Sequence, residues 1–122
     1  MILADTSIWI DHFRRGDKYL RRQLDQGQIV THPLVVGELA LGSLRDRNRT
    51  LALLDLLPQA RVAEAREVRH LIETRALYSM GVGIVDAQLI ASTLINPATF
   101  LWTRDKALRR VAGVFGIHAA LP

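Results

Sequence analysis

Short apolar runs alternate with longer amphipathic segments along this chain, a pattern that predicts α/β layering over a bundle or a sandwich. Met1 to Ala4 reads as a short buried strand. Thr6 or Ser7 is placed to cap a helix through Ile8, Trp9, Ile10 and Phe13, and Gly16-Asp17 restarts a second helix carrying Tyr19, Leu20 and Leu24. Gly27 ends that helix, and Gln28 to His32 reads as a second strand. Pro33 suits the first turn of a helix through Val36, Glu38 and Leu41 that closes near Gly42. Asp46 to Leu57 predicts another helix, stopped by Pro58. Arg61 to Val62 reads as a short edge strand, and Glu64 to Leu77 as a helix whose Val68, Leu71 and Ile72 recur at helical spacing. Gly81 and Gly83 mark a loop before a buried helix, Ile84 to Ile95, which Asn96-Pro97 ends ahead of a strand at Phe100 to Trp102. A helix from Arg104 and a final strand at Ile117, after the Gly116 turn, complete the pattern.

At 122 residues, with no internal repeat, low-complexity tract or linker, the sequence fits one domain over residues 1–122; two cores of half that length would each be marginal. A hydrophobic content of 49% excludes disorder as the main state. The absence of Cys excludes a disulfide scaffold, thiolate nucleophiles and every Cys-ligated metal site. Asp5 and Asp11 break the first apolar run and no basic segment precedes it, so it does not read as an export signal. The longest uncharged stretch, Ala87 to Thr103, is interrupted by Gln88, Ser92, Thr93 and Asn96-Pro97 and makes a poor membrane span. A soluble, cytoplasmic protein is expected. The net charge of +4 favours a polyanionic partner.

Most acids belong on solvated faces, but four here stand elsewhere. Asp5 directly follows the strand Ile2-Leu3-Ala4, and Asp105 comes just after Phe100-Leu101-Trp102; in open α/β sheets, ligands bind in the crevice beyond the carboxyl ends of strands. Glu38 falls mid-helix with Leu34, Val35 and Leu41 at helical spacing, which predicts that it shares an apolar face and needs a partner there. Asp86 lies in the first turn of an uncharged helix, where the dipole favours an anion but the following Ala-Gln-Leu-Ile-Ala offers no cation. Taken singly, Asp5, Asp86 and Asp105 read equally well as helix caps, and Glu38 as half of an ion pair with an Arg. Converging from separate elements, the four repel one another, and either protonation or a multivalent cation relieves the repulsion. Oxygen donors without His or Cys select Mg2+ or Mn2+ over zinc, and such ions keep waters and bind phosphates.

The four acids sit in four stretches: Ala4-Asp5-Thr6-Ser7-Ile8-Trp9-Ile10, Gly37-Glu38-Leu39-Ala40-Leu41-Gly42, Ile84-Val85-Asp86-Ala87-Gln88-Leu89-Ile90-Ala91 and Leu101-Trp102-Thr103-Arg104-Asp105. In order and spacing these resemble the motifs of PIN-domain nucleases, and within them the VapC-type toxins of bacterial and archaeal toxin/antitoxin pairs. The resemblance covers nearly the whole chain. It implies a PIN-like three-layer α/β domain with a central, mostly parallel sheet flanked by helices. It also implies an endoribonuclease in which Asp5, Glu38, Asp86 and Asp105 hold Mg2+ or Mn2+, and products with 5′-phosphate and 3′-hydroxyl ends. The implied partners are the RNA substrate, a cognate VapB-like antitoxin, and a second copy in a homodimer. Within that reading Asp5 and Asp86 bind metal most directly, and Asp105 and Glu38 ligate through water or a second ion. Thr6, Ser7 and Thr103 stand beside these acids and orient carboxylates or metal waters, while Arg104, next to Asp105, is placed to touch substrate.

Setting those four acids aside leaves eight acids against sixteen bases, a basic surround suited to a phosphate backbone. Its candidates are Arg14, Arg15 and Lys18, then Arg45, Arg47 and Arg49, then Arg104, Lys106, Arg109 and Arg110. His12, His32, His70 and His118 have no ligand spacing, and Trp9 and Trp102 lie in apolar segments, so all six are assigned to structure or packing. Ile8, Ile10 and Phe13, with a mean hydropathy of +0.13, leave apolar surface for a subunit interface. A non-catalytic RNA-binding module would account for the charge but leaves Glu38 unexplained. A Mg2+-dependent phosphatase-like domain wants a second Asp two residues after the first, where this chain has Ser7.

Overall fold

A computed structural model describes the whole chain, residues 1–122. Three strands, β1 (Ile2–Ala4), β2 (Ile29–Val30) and β3 (Phe100–Trp102), form one all-parallel sheet in the order β2-β1-β3. Around them lie α1 (Thr6–Arg15), α2 (Lys18–Asp25), α3 (Pro33–Leu41), α4 (Arg47–Asp55), α5 (Ala65–Thr74), α6 (Ile84–Ile95) and α7 (Lys106–Val114), with a 3-10 turn at Leu77–Ser79. This is the expected α/β architecture. The register sets Ile2, Leu3 and Ala4 against Phe100, Leu101 and Trp102, and the amide of Asp5 continues the ladder by donating to the carbonyl of Trp102 at 3.0 Å. Parallel strands need long crossovers, which is why helices separate every pair. From β1 the chain first builds β2 on one side and later β3 on the other, so the crevice between the carboxyl ends of β1 and β3 is a topological switch point. Leu3, Ala4, Leu101 and Trp102 are buried in that central pair and anchor the core with Ile8, Leu89, Ile90, Leu108 and Val111.

Several boundaries differ from the sequence reading, each for a local reason. Thr6 and Ser7 do not cap α1; Asp5 does, accepting from the Ser7 amide at 2.9 Å, and Gly16 at φ 72° makes the turn into α2. The strand expected at Gln28 to His32 narrows to Ile29–Val30, because His32 already serves as the N-cap of α3. No strand forms at Arg61 and Val62. The Asn96 side chain takes both backbone groups of Arg61, accepting from its N–H at 3.0 Å and donating to its C=O at 2.9 Å, while pairing with β2's extension occurs earlier, as the bridge Thr31 to Gln59. The helix expected to reach Leu77 ends at Thr74, since Ala76 turns left-handed at φ 54°. The final strand is reduced to a single bridge, Leu101 to His118.

His32 is fully buried and built into a closed polar network. Its Nδ1 accepts from the Leu34 amide at 3.1 Å, so its proton sits on Nε2 and points at Ser92 Oγ, 3.0 Å away. Ser92 in turn donates to Gln88 Oε1 at 2.6 Å and accepts from the Ala63 amide at 3.0 Å, joining α3, α6 and the segment before α5. Burial holds His32 below its ordinary 6.5. A depressed imidazole contributes stability that is present above pH 6.5 and is lost as the pH falls below it, because the unfolded chain then binds the proton first. His32→Ala, which strands the Leu34 amide and opens a void, is therefore expected to cost about 2–4 kcal/mol in urea melts. Between pH 7.5 and pH 5.5, to order of magnitude, the wild type should lose stability that the variant no longer has to lose.

Candidate active site

Asp5 stands at the carboxyl end of the central strand, 5% exposed, and both of its oxygens are engaged. Oδ1 accepts from the backbone and hydroxyl of Ser7, and Oδ2 accepts from the Thr103 hydroxyl. Thr103 Oγ1 also accepts from the Asp105 amide at 3.1 Å, and Ser7 Oγ from the Arg104 amide at 3.0 Å. The turn after β3 is thus latched to the turn after β1 through the very carboxylate at the switch point. Burial raises the Asp5 carboxyl above its usual range, and the bonds from Ser7 and Thr103 only partly offset this. The hydroxyls of Ser7 and Thr103 both donate to the Asp5 carboxylate, whereas Thr6 opens α1 without a side-chain bond to any acid.

Asp86 lies half-buried in the first turn of α6, where the free amides of a helix start favour an anion. Its carboxyl is nonetheless raised: first by burial, then by the negative charges of Asp105, Asp5 and Glu38 in that order. All four acids therefore share one field. None of them forms an ion pair with a Lys or Arg, so nothing on the protein neutralises the group. Asp105 keeps one oxygen on the Leu108 amide at 2.9 Å, capping α7, and is exposed. Asp5 and Asp105 thus each cap a helix and also bear on Asp86.

Glu38 reaches the cluster differently from the sequence reading. Val35 and Leu39 form the buried side of α3, while Leu34 and Leu41 are 39% and 89% exposed and Glu38 is exposed with them. It is not a carboxylate trapped in an apolar face, and it needs no partner for burial. Its role rests on where the solvent side of α3 faces. Arg104 also departs from expectation. Its guanidinium turns away from Asp105, with Nη1 on Asp11 at 2.8 Å and Asp17 at 2.6 Å, and Nε donating to the Pro122 carbonyl at 2.9 Å. Burial alone would raise the Asp17 carboxyl, but the bonds from Arg104 and the Leu20 amide outweigh that and hold it below the usual range. These contacts tie Arg104 into the scaffold.

No three carboxylates are already drawn together as a cage around one point. The donor set still fits a hard divalent cation: four oxygen ligands of uncompensated charge, none of them His or Cys, at a switch-point crevice. The sequence profile of the PIN domain matches residues 2–114. The chain belongs to the PIN-domain family. This PIN domain is 42% identical over 120 residues, spanning 98% of this chain and 97% of the relative, to the protein named Ribonuclease VapC32 of Mycobacterium tuberculosis strain CDC 1551 / Oshkosh. The same identity and coverage hold for Ribonuclease VapC32 of strain ATCC 25618 / H37Rv. Sequence reasoning missed Asp11 and Asp17 as the scaffold partners of Arg104; the only signal was that Asp17 follows a turn glycine and opens a helix.

Proposed function

We propose that this PIN domain is a VapC-type endoribonuclease, the toxin of a toxin/antitoxin pair, whose Asp5, Glu38, Asp86 and Asp105 hold Mg2+ or Mn2+ to hydrolyse RNA. The observation that carries the proposal is that the charges of Asp105, Asp5 and Glu38 all bear on Asp86 with no cationic side chain among them. Bound there, the divalent ion supplies activation of water as the nucleophile and neutralisation of charge on the phosphodiester. The chain's own part is to hold the donors ready. Ser7 and Thr103 fix the plane of the Asp5 carboxylate, with Oδ1 accepting twice from Ser7 and Oδ2, which accepts only from Thr103, keeping a lone pair free. The α6 and α7 starts hold Asp86 and Asp105 in place, and Glu38, exposed on α3, is free to adjust its rotamer.

Cleavage of a fluorescent oligoribonucleotide is expected to stop in EDTA and to return on adding Mn2+ or Mg2+. Activity indifferent to the chelator would sink the metal assignment. The same reading gives the chain a VapB-like antitoxin partner, a homodimeric state and a cytoplasmic location. Co-purification with a co-expressed neighbouring small protein that suppresses cleavage tests the first of these.

A further inference from the structure

A cavity of about 750 Å³ runs between α1 and α3 and the turn that follows α3. Its walls include Ile10, Phe13, Arg14, Glu38, Leu44 and Arg45. Glu38 is one wall of the groove, and its charge also bears on Asp86, so the groove shares an acid with the cluster. Phe13 is 36% exposed, and its ring is supported by the buried Trp9, with centroids 5.9 Å apart and planes at 33°. It is a backed aromatic face at the surface. Arg14 and Arg45 are exposed and have no carboxylate partner, since Asp11, the acid on α1, is taken by Arg15 and Arg104. The rim is held in shape by Arg47, whose guanidinium binds the carbonyls of Ala40 at 2.5 Å and Gly42 at 3.2 Å.

An apolar protein segment would fill this groove but leave two guanidinium groups to be desolvated without an anion. Phosphates match them. A duplex keeps its bases stacked on one another, so only an unpaired strand can offer a base to Phe13. We propose that the α1–α3 groove is the track by which single-stranded RNA reaches the acids, with a base stacked on Phe13 and phosphates on Arg14 and Arg45. This rests on the ribonuclease reading above.

Steady-state cleavage of an unpaired oligoribonucleotide, with its binding followed by fluorescence anisotropy, tests the track. Phe13→Ala is expected to raise KM and the binding midpoint about tenfold with kcat held within about twofold, and Phe13→Trp to restore both. Arg14→Ala with Arg45→Ala should weaken binding and flatten its dependence on salt. The double change Arg66→Ala, Arg69→Ala on α5 should alter neither. Melting curves identify any variant that fails to fold, and Phe13→Leu, which keeps apolar bulk without a π face, is then the deciding variant: wild-type RNA affinity in it overturns the track. If the groove variants cleave with wild-type KM while Asp86→Asn is inactive, the ribonuclease stands and the groove belongs to a protein partner. If the wild type cleaves no RNA, anisotropy alone decides: loss of binding in the groove variants supports the track, and unchanged binding rejects it.

Discussion

Replacing Asp86 by Asn is expected to abolish RNA cleavage while raising the melting temperature of the metal-free protein. The two effects have one cause. Asp86 is the acid on which the other three charges converge, so its ionised form is disfavoured when no cation is present. Asn keeps the shape and removes the charge. Loss of a group that merely orients a metal ligand already costs about 10–100-fold, and loss of a ligand itself should exceed that range. Because the Asp86 carboxyl is raised, its ionisation penalises the fold at neutral pH and stops doing so as the pH falls through its folded value toward the ordinary 3.8. The melting advantage of Asp86→Asn should therefore shrink in mildly acidic buffer. Added Mn2+ should raise the wild-type melting temperature and leave the variant's nearly unchanged. An active variant, or one that melts lower at neutral pH, would falsify the shared-field description of the site.

The second large effect is on stability alone. Arg104→Ala should destabilise the fold by about 2–4 kcal/mol, below the full cost of breaking a buried pair because the guanidinium keeps some solvent contact. The Asp17 side chain is only 10% exposed and would be left with two amide bonds and no cation. Lysine cannot replace the fork, since one ammonium cannot meet Asp11, Asp17 and the Pro122 carbonyl together. Arg104→Lys is accordingly expected to recover less than half of the loss in urea melts. Asp17 titrates below its usual range, so the stability it contributes is present above pH 3.8 and disappears as the pH falls through its folded value. In Arg104→Ala that acid-dependent loss should be blunted. A variant with wild-type stability and a raised KM would return Arg104 to the substrate.

What could be read from the sequence was whatever sits at an element end. Asp5 and Asp105 were legible because apolar runs of strand length stop at them, and Asp86 because a glycine loop opens its helix. The orientation of Glu38 was not. Pro33–Leu41 is apolar on every side, so periodicity gives no direction, and which face is buried is decided by packing against α1. The direction of Arg104 was not legible for a related reason: its side chain is turned by Asp11, 93 positions away, and no local rule reports that. Arg61 and Val62 carry strand propensity, yet a side-chain amide 35 positions away takes the place of a neighbouring strand. The His32 to Ser92 bond, across 60 positions, was invisible because a buried Ser in an uncharged helix looks like any small residue.

The pairing of β1 with β3 fixes when the pocket can exist. Asp5 is made long before its partners: the hydroxyl that holds its second oxygen belongs to Thr103, and the carbonyl that anchors its backbone belongs to Trp102. Loops of that length close late, after local helices have formed. A growing polypeptide still short of residue 103 has no completed crevice, so the four acids cannot share one field until the turn after β3 has been made and paired with β1.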